Sequence, residues 1–229
     1  MPLDIGLEFK MGVQYNPSIK TTGLVFCMDA ASKAYGETAQ DMTGSHITTL
    51  VNDAAFNSAD FGSIEFDGTD DYITTTLNGA ELSGTEFTID LWINPDVNNA
   101  AYGLFSVNTG DGLEFRMNGV KYRFLTGGSN FEDTATTTAF TGTWANLIAV
   151  KKTNSIEIYY NGELSNTKSV SNTNPSYGTG DVIIAGRASA GSPSGAYWNG
   201  KISVVRVYDK ALSSVEIRTN YDATKRRYL

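Results

Sequence analysis

The stretch GSIEFDGTDDYITT, residues 62–75, places a cluster of acidic residues between two short segments rich in β-branched and aromatic side chains. Such segments are typical of strands. Between them, an Asp side chain at Asp67 can bond the backbone two residues on, and Gly68 accepts a positive φ. The stretch therefore predicts two strands joined by a sharp turn, and this pattern of short strands and glycine turns continues along the chain.

The segment FTIDLWINP alternates between two classes of side chain, as a strand with two different faces does. One predicted face is apolar and carries Phe87, Ile89, Leu91 and Ile93. The opposite predicted face carries Thr88, Asp90, Trp92 and Asn94. The apolar face is expected to point into a core.

Two Asn-Gly pairs lie between alternating segments and predict two-residue type I′ hairpins, in which both central residues have positive φ. The first pair, Asn118-Gly119, sets a register in which Glu114 faces Arg123 across the strands. The second pair, Asn161-Gly162, places Tyr159 opposite Leu164. Both hairpins indicate antiparallel sheets.

One helix is predicted, near the end of the chain. Ser213 and Glu216 have the spacing of a capping box, so the helix is expected over about residues 214–221. About twelve short strands without helical crossovers indicate an antiparallel β-sandwich or barrel. We predict a single sandwich domain over residues 22–224, preceded by an arm or linker over 1–21 and followed by a basic tail over 225–229.

Composition limits the classes of function. The 229 residues carry a net charge of −8 with a pI near 4.6, which argues against binding nucleic acid through its phosphates or binding anionic membranes. One cysteine, Cys27, and one histidine, His46, exclude an intrachain disulfide, a multi-histidine zinc site and most catalytic triads. No window reaches the ~18–20 apolar residues of a membrane span, and the first residues do not have the pattern of a signal peptide.

Five blocks resemble, in the same order, those of the concanavalin A-like lectin/glucanase superfamily, and most of all its laminin-G-like, pentraxin-like branch. The blocks are TTGLVFCMDA, GSIEFDGTDDYIT, FTIDLWINP, WANLIAVKKTNSIEIYYNGEL and WNGKISVVRVYDKALSSVEI. The resemblance covers roughly residues 22–224. It implies a jelly-roll of two curved antiparallel sheets, frequent binding of glycans or proteins, and calcium.

The opening GLVFCMDAASKAYG, followed by DMTGSHITTLVN, is also similar to domains found in bacteriophage structural proteins. That similarity implies a structural or decoration protein of a virion, located in a capsid, neck or tail fibre and adhesive to surface glycans. Its partners would be other virion proteins and copies of itself, and its location the virion surface. The alternative is a free-standing, extracellular glycan-binding module that uses calcium.

Catalysis is not expected. Glucanases of this fold carry carboxylates at alternate positions i, i+2 and i+4 of one strand, because cleaving a glycosidic bond needs paired carboxyl groups at a set separation. No predicted strand of this chain has that pattern: Glu86 and Asp90 flank the segment 87–89, where Thr88 occupies the middle position. We predict no catalytic residues.

The acidic turn has two interpretations. Asp70 and Asp71 could supply hard oxygen ligands to calcium, with Asp29 as a partner from a distant loop, because calcium sites in the family draw ligands from several loops. Alternatively, the acidic residues only shape the turn. Both remain open from the sequence.

Two further groups of residues are candidate sites. For glycans we predict Trp92 and Asp90, which share a strand face, and Tyr197 and Trp198 in the glycine-rich loop SAGSPSGAYWNG, although these aromatic rings could equally belong to the core. For assembly we predict the arm and the basic residues Lys225, Arg226 and Arg227.

Overall fold

A computed structural model of the chain describes residues 18–31, 39–84, 86–98, 100–107, 112–127, 130–135, 139–171, 174–189 and 191–229. Within these ranges the chain forms two antiparallel sheets packed face to face and a small two-stranded ribbon. The predicted all-β jelly-roll sandwich is confirmed. No helix in the described ranges is long and apolar enough to cross a membrane.

The strands, in chain order, are β1 (Leu24–Asp29), β2 (Thr48–Val51), β3 (Ala55–Asn57), β4 (Ser63–Asp67), β5 (Tyr72–Asn78), β6 (Phe87–Pro95), β7 (Gly103–Ser106), β8 (Leu113–Asn118), β9 (Lys121–Thr126), β10 (Asn130–Asp133), β11 (Ala145–Lys152), β12 (Ser155–Tyr160), β13 (Glu163–Ser169), β14 (Asp181–Ile184), β15 (Ala188–Ser189), β16 (Ser192–Pro193) and β17 (Asn199–Tyr208). The helices are α1 (Gly79–Leu82) and α2 (Ser214–Thr224).

The large sheet has the order β13-β12-β11-β6-β17-β4-β3, with β1 also paired to β17. The small sheet has the order β10-β9-β8-β7-β14-β5-β2. Neighbours in both sheets are frequently distant in sequence, which is how a jelly-roll is connected. Strand β4 belongs to the large sheet and β5 to the small sheet, so the acidic turn between them crosses from one sheet to the other.

The main core lies between the two sheets. The predicted apolar face of β6, formed by Phe87, Ile89, Leu91 and Ile93, is buried there as expected. Burying such side chains stabilises a fold by roughly 1.5–3 kcal/mol each relative to exposure. The other face of β6 points away from the small sheet and is covered by α2.

The second predicted hairpin is confirmed. Asn161 and Gly162 have φ values of 52° and 78°, and Tyr159 pairs with Leu164. In the first hairpin the predicted register is wrong, because the loop lies one residue further along the chain. There Asn118 pairs with Lys121, so the loop is Gly119-Val120.

The different loop follows from the glycine. Gly119 alone has a positive φ, of 66°, and stands first in the loop, which is the position glycine takes in a type II′ turn. Every cross-strand partner shifts by two residues, so the side chains keep their faces. Glu114 pairs with Leu125, and the predicted contact of Glu114 with Arg123 does not form.

The C-terminal helix has the predicted capping box, in which Ser213 and Glu216 bond each other's backbone N–H groups. It is longer than predicted and lies on the outer face of the large sheet, where Tyr221 stacks on Trp92.

The last residues fold back on the domain, so the predicted boundary at 224 is wrong. The ring of Tyr228 stacks on Trp92 with a centroid separation of 4.3 Å and lies 4.7 Å from Trp144. Its hydroxyl donates to Ser203 Oγ at 2.6 Å. The aromatic ring gives residues 225–229 an apolar anchor that their basic charge did not reveal.

Only the end of the predicted arm falls within the described residues. The Lys20 N–H donates to Asn220 Oδ1 at 2.8 Å, and its carbonyl accepts the Tyr208 hydroxyl at 3.0 Å. Residues 18–21 therefore pack beside α2. Residues 1–17, the rest of the arm, lie outside the described ranges.

Candidate functional site

The two tryptophans predicted to bind glycans are buried, with no exposed surface. Trp198 lies in the main core. Trp92 lies beneath α2 and donates through Nε1 to Thr224 Oγ1 at 2.9 Å. Covering these large apolar rings is more favourable than leaving them in water, so the prediction that they stack on a sugar is wrong.

Asp90 is fully buried and serves the same helix. Its carboxylate accepts from Arg206 Nη1 at 3.1 Å and from Asn146 Nδ2 at 2.7 Å, and Asn220 of α2 reaches it at 3.4 Å. Burial opposes the charge on Arg206, but the Asp90 carboxylate, together with smaller contributions from other nearby groups, outweighs it and raises the pKa of the guanidinium above its ordinary value. Asp90 is therefore a structural counter-ion, and its predicted glycan role is wrong.

Tyr197 is the one member of the predicted glycan set that reaches the surface. It is half-buried, and its ring stacks on that of Tyr72 at a centroid distance of 5.9 Å. A Cβ on Gly186 would lie 3.3 Å from this ring, so the loop lies beside the end of β14 and, through Tyr72, beside the start of β5. The outer face of the other half of the small sheet, formed by β8, β9 and β10, carries half-buried side chains such as Arg116, Arg123 and Phe131.

The acidic turn brings three carboxylates together: ligand oxygens of Asp67, Asp70 and Asp71 lie within 4.8 Å of one another. Asp71 is buried and serves the backbone, because its two oxygens accept from the N–H of Asp53 at 2.8 Å and of Asp67 at 3.0 Å. Burial raises the pKa of Asp71. The Thr69 N–H, donated at 2.7 Å, lowers the pKa of Asp67.

The third predicted calcium ligand, Asp29, is not part of this cluster. Both of its oxygens accept from Arg227 Nη1 at 2.8 Å. Asp29 pairs with Val204 of β17, whereas Asp67 pairs with Asn199, so roughly 17 Å of strand separates them. The prediction of Asp29 as a ligand is wrong. The exposed oxygens of Asp67 and Asp70 fit the hard ligands that calcium prefers.

The three basic residues predicted to act in assembly differ in their surroundings. Arg227 is held by Asp29, and Lys225 Nζ lies 2.6 Å from Asp222 Oδ1. Arg226 alone of the three is exposed. Two of the three charges are therefore engaged within the domain.

The outer face of β8, β9 and β10 carries a different cluster, which we call the basic face. It consists of five cationic side chains, two carboxylates and one aromatic ring on and beside β8, β9 and β10: Arg116, Lys121, Arg123, Lys168, Arg187, Glu114, Asp133 and Phe131. The rest of this acidic chain must carry the balance of the net charge of −8. The basic face is thus a local reversal of charge.

Glu114 is the centre of one part of the basic face. Its side chain is 1% exposed and lies 3.3 Å from Arg116 Nη1 and 2.6 Å from Arg187 Nε. Arg187 reaches it because its loop crosses close over β7: a Cβ on Gly103 would lie 2.4 Å from the Gly186 carbonyl group. Glycine at position 103 is therefore required for the loop to hold Arg187 beside Glu114.

Arg123 is the centre of the other part. Its Nε and Nη2 donate to the two oxygens of Asp133 at 2.6 and 2.9 Å, and this bond raises the pKa of Arg123. Its guanidinium also lies 4.1 Å from the centre of the Phe131 ring, with Lys168 Nζ at 4.6 Å from the same centre. These contacts fix Arg123 and Phe131 in place.

Sequence reasoning missed the basic face for a physical reason. Alternation along the first hairpin does place Arg116 and Arg123 on one side. Arg187, Phe131 and Lys168, however, arrive from other segments, and only the folded chain brings them together. The Asn-Gly pair also predicted that Glu114 faces Arg123, and the type II′ loop does not produce this pairing.

Comparisons with known proteins agree on the fold. A family model described as the concanavalin A-like lectin/glucanases superfamily matches residues 67–218. No curated protein matches the sequence.

Two solved structures similar to this chain are the binding domains of larger proteins. The binding domain of Paraclostridial Mosquitocidal Protein 1 has a TM-score of 0.68 at 17% identity, covering 87% of this chain and 52% of that one. The ligand binding domain of botulinum neurotoxin serotype D, solved with N-acetylneuraminic acid, has 0.69 at 12% identity, covering 88% and 51%. The chain thus spans about half the length of these toxin domains.

A third similar structure matches over its whole length. Domain 4 of AbnA, a GH43 extracellular arabinanase from Geobacillus stearothermophilus solved with arabinotriose, has a TM-score of 0.65 at 16% identity. The match covers 88% of this chain and 100% of that domain. At these identities, the similarity establishes the shared fold.

Proposed function

This chain belongs to the concanavalin A-like lectin/glucanase superfamily, and we propose that it is a non-enzymatic carbohydrate-binding module. The observation that carries the proposal is the basic face, where guanidinium groups and an aromatic ring lie together on the outer face of β8, β9 and β10. Planar groups with several donors are suited to hydroxyl-rich ligands, and aromatic rings offer apolar contact area. Two of the similar structures were solved with saccharides, which supports the same class of ligand.

The carboxylates of the basic face favour binding over catalysis. Glycosidases need one carboxyl group to protonate the leaving group and a second to act as base or nucleophile. Glu114 is enclosed by Arg116 and Arg187, and Asp133 accepts from Nε and Nη2 of Arg123. Among the described strands, none carries carboxylates at three alternate positions.

A glycan array tests the proposal. The intact chain is expected to bind a subset of saccharides, with affinity reduced at least tenfold by Phe131→Ala. Arg226→Ala is the matched control, because that residue is exposed and lies outside the basic face. An array without bound saccharides would contradict the proposal, as would equal binding by the wild type and Phe131→Ala.

The finer part of the proposal is that the module is displayed on the surface of a bacteriophage particle, next to other virion proteins and copies of itself. Its support is the similarity of the blocks GLVFCMDAASKAYG and DMTGSHITTLVN to phage structural domains. Deletion of residues 1–17 is expected to abolish incorporation into particles while the domain still folds. Unchanged incorporation would argue against assembly through the arm.

Calcium at the acidic turn is a separate proposal, supported by the convergence of Asp67, Asp70 and Asp71. An ion bound only by the native state would stabilise it by about 2.7 kcal/mol at a concentration of 100 times Kd. The melting temperature is therefore expected to rise with calcium and to fall with a chelator, and both responses should disappear in Asp70→Asn. A melting temperature insensitive to chelator would refute the proposal.

A further inference from the structure

We propose that the basic face selects saccharides that carry a carboxylate, which binds between the guanidinium groups of Arg116 and Arg123. This inference rests on the proposed carbohydrate-binding function and specifies its ligand class. It begins from the register of the first hairpin, in which Arg116 and Arg123 stand directly opposite each other. Like charges at directly opposite positions destabilise a sheet, so carboxylates beside this pair stabilise it.

Each of the two arginines is bonded by a different acid of the face. Glu114 lies on the same strand as Arg116 and is shared with Arg187. Asp133 approaches Arg123 from the neighbouring strand β10. Among the described residues, no carboxylate bonds both arginines, because Glu114 bonds Arg116 and Asp133 bonds Arg123. The charges of Glu114 and Glu132 also act on Arg123, so the cations of the face outnumber the nearby acids by five to three.

Each arginine keeps donors for a ligand. Arg123 uses Nε and Nη2 on Asp133, and Arg116 contacts Glu114 through Nη1. In the described part of the chain, Nη1 of Arg123 and Nη2 of Arg116 have no hydrogen-bond partner. A carboxylate has two coplanar oxygens, so it can accept from one arginine with each.

The position is accessible but partly dehydrated. The side chains of Arg116 and Arg123 are 15% and 20% exposed, so a ligand can reach them while little water competes. Ion pairs are stronger in such surroundings than on an open surface. Their contacts with Glu114, Asp133 and Phe131 also hold the guanidinium groups before a ligand arrives, which reduces the entropy lost on binding.

The test compares matched saccharides by calorimetry on the intact chain. The probes are an oligogalacturonide, the same oligosaccharide with its carboxylates methyl-esterified, and an oligosaccharide that carries sulfate groups and no carboxylates. The free acid is expected to bind at least tenfold more tightly than the ester. Its affinity should fall as salt is added, because exposed parts of an ion pair are screened.

Substitutions assign the effect to the two arginines. Arg116→Gln with Arg123→Gln is expected to remove the preference for the acid, whereas Arg226→Gln keeps it. If the double variant does not fold, the comparison of acid with ester on the wild-type chain still decides the question of charge. Arg123→Lys, which keeps the charge and loses the planar fork, then tests the role of the arginine.

The outcomes separate the two levels of the account. Equal binding of acid and ester would overturn this inference and leave the carbohydrate-binding function standing, and so would tighter binding of the sulfated probe than of the acid. A preference for the acid that survives in the folded double variant would overturn the assignment to Arg116 and Arg123. Absence of binding to all three probes and to the glycan array would overturn both proposals.

Discussion

Asp71 shows how a carboxylate in an acidic cluster can be occupied by the backbone. One oxygen accepts from the N–H of Asp53, in the turn between β2 and β3, and the other from the N–H of Asp67, at the end of β4. These bonds tie the two sheets together at this edge. The neighbouring Asp70 is exposed and leaves its carboxylate to the solvent. The sequence shows three similar acids, but their roles differ with burial.

Asp71→Asn is expected to destabilise the fold by about 1–3 kcal/mol, because an amide group places a donor where a buried N–H needs an acceptor. Asp70→Asn is the matched control and should change stability by no more than about 0.5 kcal/mol without calcium. Urea unfolding followed by circular dichroism measures both. Equal costs for the two variants would contradict the structural role of Asp71.

The buried pair of Asp90 and Arg206 gives a second prediction at this scale. Asp90→Asn would leave the guanidinium of Arg206 buried without its counter-ion, at an expected cost of about 3–5 kcal/mol. Glu163→Gln removes a carboxylate from an exposed pair with Arg218 and should cost only about 0.2–1 kcal/mol. Urea unfolding compares the two costs. An Asp90→Asn variant with wild-type stability and lost glycan binding would restore Asp90 as a ligand residue.

At the scale of elements, the same Asn-Gly signal predicted the right loop at one hairpin and the wrong loop at the other. Asn161-Gly162 adopts two positive φ values, and the register follows. Asn118-Gly119 is the same dipeptide but forms a loop that begins at the glycine, so the dipeptide alone does not determine the turn type. The capping box at Ser213 likewise predicted where α2 begins, but the extent of the helix depends on its contacts with the outer face of the large sheet.

The charge of the C-terminal segment predicts a free tail, but the segment packs on the domain. Tyr228 covers Trp92 and Trp144, and it follows three basic residues that suggest a free tail. Tyr228 is partly exposed, and its main contribution is the apolar area that it covers together with its bond to Ser203.

Tyr228→Ala is expected to destabilise the domain by about 2 kcal/mol, in keeping with the loss of one largely buried aromatic side chain. It should also increase the accessibility of the two tryptophans to a fluorescence quencher. Arg226→Ala, two residues earlier and exposed, is expected to change neither quantity. Unchanged quenching in Tyr228→Ala would mean that residues 225–229 do not cover the sheet in solution.

At the scale of the whole molecule, the sequence predicts the architecture better than the site. Strand alternation and glycine turns determine which side chains are apolar and where the chain reverses, and those are sufficient for a sandwich. The basic face requires β8, β9, β10, β13 and the loop before Trp198 to meet. Such long-range contacts have no local signature. The tryptophans predicted to bind sugars belong instead to buried clusters.

The charge distribution of the whole molecule favours acidic ligands at the basic face. An acidic chain with a net charge of −8 repels anions over most of its surface, so an acidic ligand is attracted where the charge is reversed. The outer face of β8, β9 and β10 supplies that place, and the loop that carries Arg187 and Tyr197 lies beside it.

The most direct test of the central claim is to map the binding position by NMR. Backbone amide shifts of the labelled chain are recorded while a saccharide identified on the glycan array is added. We expect the largest changes at β8, β9 and β10, with Arg116, Arg123 and Phe131 among them, and little change at the acidic turn or at α2. Changes centred on Asp67–Asp71, with the basic face unaffected, would contradict the account.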